Sequence, residues 1–185
     1  LHKEYRRQRQ MCIRDRQMPI AAGNFFYGRF NANIALEHPM EATEFGWQIN
    51  FKPVSFEGNY KYLRGEKVTD KDQNELTDKK DYGSIYAVLY DNEAGNKVLN
   101  GNDILTSENI VALAKLPDID NTPEWTNFNI DFQYSKDIDE NKMKSYGYSL
   151  AIVCSSSVNG DKFEGAVGST LWIDKFTIKC EKIDE

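Results

Sequence analysis

The residues whose types and spacing could do chemistry are concentrated in one polar stretch, "CSSSVNGDKFEGAVGSTLWID", at residues 154–174. Three consecutive serines end a strand-like apolar run, and a glycine-rich turn then carries two carboxylates. Such a loop could present hydroxyl and carboxylate groups to a single polyhydroxylated ligand. The alternative is a hairpin whose serines only satisfy backbone groups. The candidate ligand-binding residues are Ser155, Ser156, Ser157 and Ser169, and the candidate catalytic residues are Asp161 and Glu164.

If this sequence encodes an enzyme, its catalytic residues are expected to be a pair of carboxylates. It contains no GxSxG, no HExxH and no phosphate-binding glycine loop, and its two histidines, His2 and His38, are far apart. An enzyme built on this chain would therefore resemble a glycoside hydrolase, in which two carboxyl groups flank the scissile bond. Glu164 and Asp161, or one of them with a distant carboxylate, form the candidate pair.

Aromatic side chains suggest a second way of holding a sugar. In "FEGNYKYLRGE" (56–66), Tyr60 and Tyr62 lie on one face of a strand and Lys61 on the other. Aromatic rings on a sheet face could stack on sugar rings, although tyrosines at such positions also serve as core or rim packing. Trp125, close to Pro123, is expected to be exposed and is a further ligand-binding candidate.

The last strand-like run, "STLWIDKFTIKC" (169–180), raises a question about Asp174. Regular alternation places this aspartate on the same dry face as Trp172 and Phe176, where an unpaired carboxylate would be costly. We therefore predict a buried Asp174 that is compensated by an arginine or by backbone N–H groups.

Period-two alternation dominates the chain and predicts its elements. "NFNIDFQY" (127–134) alternates apolar and polar residues, whereas "SIYAVLY" (84–90) and "YSLAIVC" (148–154) are apolar on both parities, as in central strands of a packed sheet. Residues 106–117 could form a helix, a strand or a single turn. Many short strands between Gly-, Asn- and Pro-rich loops predict an all-β fold, an antiparallel β-sandwich of jelly-roll type, similar to galactose-binding domains.

Composition restricts the partners. The net charge of −6 disfavours nucleic acid, and no apolar run is long enough to form a transmembrane segment. Residues 1–18 are basic and include "MCIRDR" (11–16), a string typical of translated sequencing adapter. We predict that they are a foreign, disordered leader and that residues 19–185 form one domain, monomeric in isolation. Cys154 and Cys180 are predicted to lie on dry faces and not to form a disulfide.

Several segments together resemble the putative carbohydrate metabolism domain, a family of exported proteins of gut-type Gram-negative bacteria. The resemblance runs from about residue 23 to 181 and depends on "GNYKY", "SIYAVLY", "LNGNDILTSENIVALAK", "EWTNFNIDFQY" and the SSS–GD–F–GA–GS–L–D pattern between Ser155 and Asp174.

The resemblance implies a jelly roll that binds a glycan or oligosaccharide at the cell surface or in the periplasm and needs no cofactor. Hydrolysis by paired carboxylates and a structural or adhesive role are the alternatives. The last strand also resembles the closing strand of jelly-roll sugar-binding modules, which implies a structural calcium at Asp174.

Overall fold

The computed structural model describes residues 6–9 and 21–183. Within this part of the chain the structure is almost entirely β. The strands are β1 (Arg6–Arg9), β2 (Asn24–Phe26), β3 (Gly28–Phe30), β4 (Thr43–Phe45), β5 (Trp47–Ile49), β6 (Lys52–Leu63), β7 (Val68–Thr69), β8 (Ser84–Asp91), β9 (Ile110–Lys115), β10 (Thr122–Asp131), β11 (Gln133–Tyr134), β12 (Tyr148–Ser155), β13 (Gly165–Ala166) and β14 (Thr170–Glu181). A short helix, α1 (Glu140–Lys144), precedes β12.

Two antiparallel sheets form a sandwich. The four-stranded sheet has the order β1-β14-β6-β10, and the six-stranded sheet has the order β11-β9-β8-β12-β2, with β5 also paired to β12. The predicted all-β antiparallel sandwich is therefore confirmed, while its assignment as a jelly roll stays a prediction. Residues 106–117, left open between helix and strand, contain β9.

The main core lies between the two sheets. Alternate residues of β6, β8, β12 and β14 supply it, among them Phe56, Tyr62, Ile85, Leu89, Leu150 and Leu171. The opposite face of β8 and β12 is also covered, because Tyr86, Val88 and Val153 pack with Ile104 and Leu99 from the connecting loops. This second layer explains why both strands are apolar on both parities.

A β-bulge in β14 reverses which side chains face the core. Asp174 is paired with Asn59, but Thr177 is paired with Glu57, so one extra residue is inserted opposite β6. Lys175 occupies it with a left-handed φ of 55°. Before the bulge the core-facing side chains come from odd-numbered residues, and after it they come from even-numbered residues such as Phe176.

The prediction of a buried Asp174 is therefore wrong. Because Ile173 is buried in the core, the neighbouring Asp174 lies on the outer face together with Trp172, and both are half-buried. The regular alternation assumed from the sequence does not hold across the bulge. Cys180, at the far end of the same strand, is exposed, whereas Cys154 is buried, and both are free thiols.

Part of the predicted leader is paired with the sandwich. Arg6–Arg9 form an edge strand against Thr170–Ile173 of β14. The remaining residues of segment 1–18 lie outside the described residues. The domain boundary at residue 18 stays a prediction.

Candidate ligand-binding cleft

The outer face of the six-stranded sheet forms the floor of a cleft of about 630 Å³. Across four neighbouring strands the floor carries Phe26, Val153, Tyr86 and Lys115 in register. A second row contains Asn24, Ser155 and Ser84. The floor thus combines two aromatic rings with amide, hydroxyl and ammonium groups.

Three loops form the walls of the cleft. They contribute residues 35–40, residues 101–106 and residues 158–163. Phe30, Leu36 and Leu105 leave large apolar surfaces exposed at these walls. The size lies within the range typical of small-molecule sites, and the mainly apolar lining with a few polar groups is also typical of them.

Asp81 holds the third of these loops in place. Its carboxylate accepts hydrogen bonds from the Ser157 and Ser169 hydroxyls, each at 2.7 Å, and from the backbone N–H of Ala166 at 2.8 Å and of Tyr82 at 2.9 Å. Burial raises the pKa of Asp81 above its ordinary value, although these hydrogen bonds oppose the shift. The carboxylate therefore connects the end of β12 to the start of β14.

Most of the predicted ligand-binding serines are structural. Ser156 and Ser169 have no exposed surface, and the Ser156 hydroxyl accepts a hydrogen bond from the Gly23 N–H. Ser157 lines the cleft but donates its hydroxyl to Asp81. Ser155 is half-buried in the cleft floor and donates to the Ser157 carbonyl. The prediction that all four hydroxyls are presented to a ligand is wrong, because the buried ones satisfy protein groups.

The two predicted catalytic carboxylates face different surroundings. Asp161 is exposed and lines the cleft. Glu164 lies outside the cleft lining, with its side chain 16% exposed, and binds the Lys79 ammonium at 2.8 Å and the Asn159 amide at 3.1 Å. Among the described residues, Asp161 is the one carboxylate in the lining.

The predicted aromatic platform of Tyr60 and Tyr62 does not form. Tyr62 is fully buried, and its hydroxyl donates to the Ser156 carbonyl at 3.1 Å. Desolvation raises the pKa of Tyr62, and the nearby Asp81 charge adds to this effect. Tyr60 is half-buried and packs against the core beside Phe128. Trp125, in contrast, is 42% exposed, as expected.

The argument for calcium at Asp174 depended on a buried carboxylate, and the bulge removes that premise. Within residues 6–9 and 21–183, no group of three or more His, Cys, Asp or Glu residues could hold a metal ion. Calcium at Asp174 stays a prediction. If Asp174 does bind calcium, a chelator should lower the melting temperature.

Several cleft residues were missed at the level of sequence. Tyr86 and Lys115 lie opposite one another on β8 and β9, and Asn24 is on β2. Burial raises the pKa of Tyr86, and Asp161 lines the same cleft. The one available signal was the double-sided apolar pattern of 84–90, which indicates a covered outer face without showing a cleft.

The fold is an antiparallel β-sandwich with a cleft on the outer face of one sheet. The matching family model is the "Putative carbohydrate metabolism domain", which covers residues 4–179, and the chain belongs to this family. A comparison with curated protein sequences found no match. Along the described part of the chain, no helix has the length and apolar character needed to cross a membrane.

Two crystal structures share the fold at significant sequence identity. Each is described as a putative glycoside hydrolase, one from Bacteroides thetaiotaomicron and one from Bacteroides vulgatus. The first is 38% identical with a TM-score of 0.86 and covers 90% of this chain. The second is 36% identical with a TM-score of 0.86 and covers 95%. This chain spans 49% of the first protein and 72% of the second.

Proposed function

We propose that this domain binds a glycan in the cleft over the six-stranded sheet. The observation that carries the proposal is the floor, where Phe26 and Tyr86 lie beside the polar groups of Asn24, Ser155 and Lys115. A sugar ring has apolar C–H patches and a rim of hydroxyls, so it needs both kinds of contact. The proposal includes an exported location, because a polymeric glycan reaches a bacterium from outside.

Hydrolysis is the second candidate, favoured by the description of the two related structures as putative glycoside hydrolases. Retaining and inverting enzymes both require two carboxyl groups at the scissile bond. Asp161 lines the cleft, but Glu164 is engaged with Lys79 and Asn159. We therefore expect this chain to bind without turnover, while activity of a longer protein could use residues outside it.

A glycan array with the full chain, followed by calorimetry on any hit, tests the proposal. Asp161→Asn and Lys115→Met should each weaken binding by roughly tenfold, since each removes a charged hydrogen-bonding group from the cleft. Asp131→Asn is the matched control, because Asp131 is exposed on β10 of the other sheet. Unchanged affinity in both cleft variants would contradict the proposal.

Product analysis of the same hit separates the two candidates. Chromatography after long incubation should recover only intact oligosaccharide. Release of shorter sugars that is abolished in Asp161→Asn would instead assign a hydrolase.

A further inference from the structure

The outer face of the four-stranded sheet carries two tryptophans around a lysine. Lys61 on β6 places its ammonium 4.6 Å from the ring centre of Trp172 on β14 and 5.8 Å from that of Trp125 on β10. The three residues thus lie across three neighbouring strands. Cation–π attraction to both rings holds the lysine between them.

A row of polar side chains runs beside these residues. Asn59 is in register with Asp174 on one side and with Asn127 on the other. All three share the outer face, because their neighbours Ile173, Tyr60 and Phe128 point into the core. We call the six residues Trp172, Lys61, Trp125, Asp174, Asn59 and Asn127 the tryptophan face.

We propose that the tryptophan face is a second binding site, which takes a strand of neutral polysaccharide. Two strand spacings separate Trp172 from Trp125, a distance of roughly 10 Å, so the two rings can contact two sugars of one extended chain that are separated by one intervening sugar. The adjacent amides and carboxylate supply donors and acceptors for the hydroxyls along one edge of the chain.

Charge on this surface favours a neutral ligand. Lys61 and Asp174 carry opposite charges in adjacent rows, and further along the sheet Glu57 pairs with Lys179 at 3.0 Å. These four charged side chains balance one another, so an anionic polymer gains no net attraction from them, whereas stacking and neutral hydrogen bonds remain available.

This site is separate from the cleft, since it lies on the opposite sheet of the sandwich. It extends the proposed function without depending on it. The separation lets each site be tested by variants that leave the other intact.

Affinity electrophoresis of the full chain in gels containing xylan, mixed-linkage β-glucan, glucomannan or amylopectin tests the inference. At least one polymer should retard the wild-type protein. Trp125→Ala and Asn127→Ala, both at exposed positions, should each weaken that retardation by roughly tenfold or more. Trp47→Ala is the matched control, because Trp47 is similarly exposed but belongs to β5 of the other sheet, beside Arg29.

Fluorescence gives a second readout, since Trp125 and Trp172 are two of the three tryptophans in the chain. Oligosaccharides of a retarding polymer should change the emission of wild type and of Trp47→Ala, but not that of the double variant Trp125→Phe/Trp172→Phe.

Retardation that is lost in Asp161→Asn and kept in Trp125→Ala would assign binding to the cleft alone and overturn this inference. Absence of retardation by all four polymers would overturn it as well. So would altered self-association of Trp125→Ala in sedimentation, which would make the face a protein interface.

Discussion

At the scale of single residues, Asp81 is the carboxylate that organises the loop beside the cleft. It is 3% exposed and accepts hydrogen bonds from two serine hydroxyls and two backbone N–H groups. The serines of the 154–174 stretch are thus held by a carboxylate that is far away in sequence. The Ser157 and Ser169 hydroxyls fix the backbone of the loop that carries Asp161, and in this way they shape the cleft.

The pH dependence of stability should report the burial of Asp81. Because folding raises its pKa, the folded state binds more protons than the unfolded state above the ordinary aspartate pKa of about 3.9. The stabilising contribution is present below that pH and is lost as pH rises through the folded pKa. We expect urea titrations to show wild type losing stability relative to Asp81→Asn as the pH rises from the ordinary aspartate pKa through the folded-state pKa. A relative gain over this interval would show that the hydrogen bonds outweigh desolvation.

Removing the Tyr62 hydroxyl should affect stability and not binding. Tyr62→Phe deletes the donor to the Ser156 carbonyl inside the core, and we expect the free energy of unfolding to fall by about 1–2 kcal/mol. Tyr146→Phe is the control at an exposed position. Weaker glycan binding by a folded Tyr62→Phe protein would restore the original interpretation of this tyrosine as a ligand contact.

At the scale of elements, the bulge in β14 lets this strand place side chains on both faces of the four-stranded sheet. Before it, Trp172 and Asp174 face outward. After it, Phe176 turns inward and packs edge-to-face with Phe56 and Phe128, at 5.0 and 5.7 Å between ring centres. One strand therefore contributes aromatic side chains to the outer surface and to the core.

Replacing residues of β14 with glycine should change the free energy of unfolding in opposite directions at two nearby positions. Lys175 has a left-handed φ of 55°, which is unfavourable for a residue with a Cβ, so Lys175→Gly should raise the free energy of unfolding by roughly 0.5–1 kcal/mol. Thr177→Gly, in the regular strand beyond the bulge, should lower it by a similar amount. Chemical denaturation measures both changes. Destabilisation by both substitutions would argue against the bulge.

At the scale of the whole molecule, the sandwich presents two different surfaces. The cleft lies on the six-stranded sheet beneath loops, and the tryptophan face lies on the outer face of the four-stranded sheet. Between them is one continuous apolar core drawn from both sheets. Variants on the two surfaces should be close to additive, since they share no contacts.

The N-terminal segment provides a test of where the domain begins. Sequence analysis predicts that deleting residues 1–18 leaves the melting temperature unchanged within about two degrees. The pairing of Arg6–Arg9 with β14 instead predicts a drop of roughly 2–6 °C, from loss of an edge strand. Deletion of residues 1–5, which keeps β1, is the control. A melting temperature unaffected by either deletion would support a foreign leader.

The sequence by itself determined the fold class and the central strands, because period-two patterning and local turn chemistry are properties of neighbouring residues. The family followed from the resemblance of particular segments, such as the pattern between Ser155 and Asp174. The sequence also indicated Trp125 as exposed and Asp161 as a candidate catalytic residue. Tertiary structure decided which serines are buried around Asp81 and which carboxylate reaches the cleft, since those contacts join residues far apart in the chain. It also decided that Asp174 and Phe176 lie on opposite faces, because one residue inserted at Lys175 reverses the alternation between them.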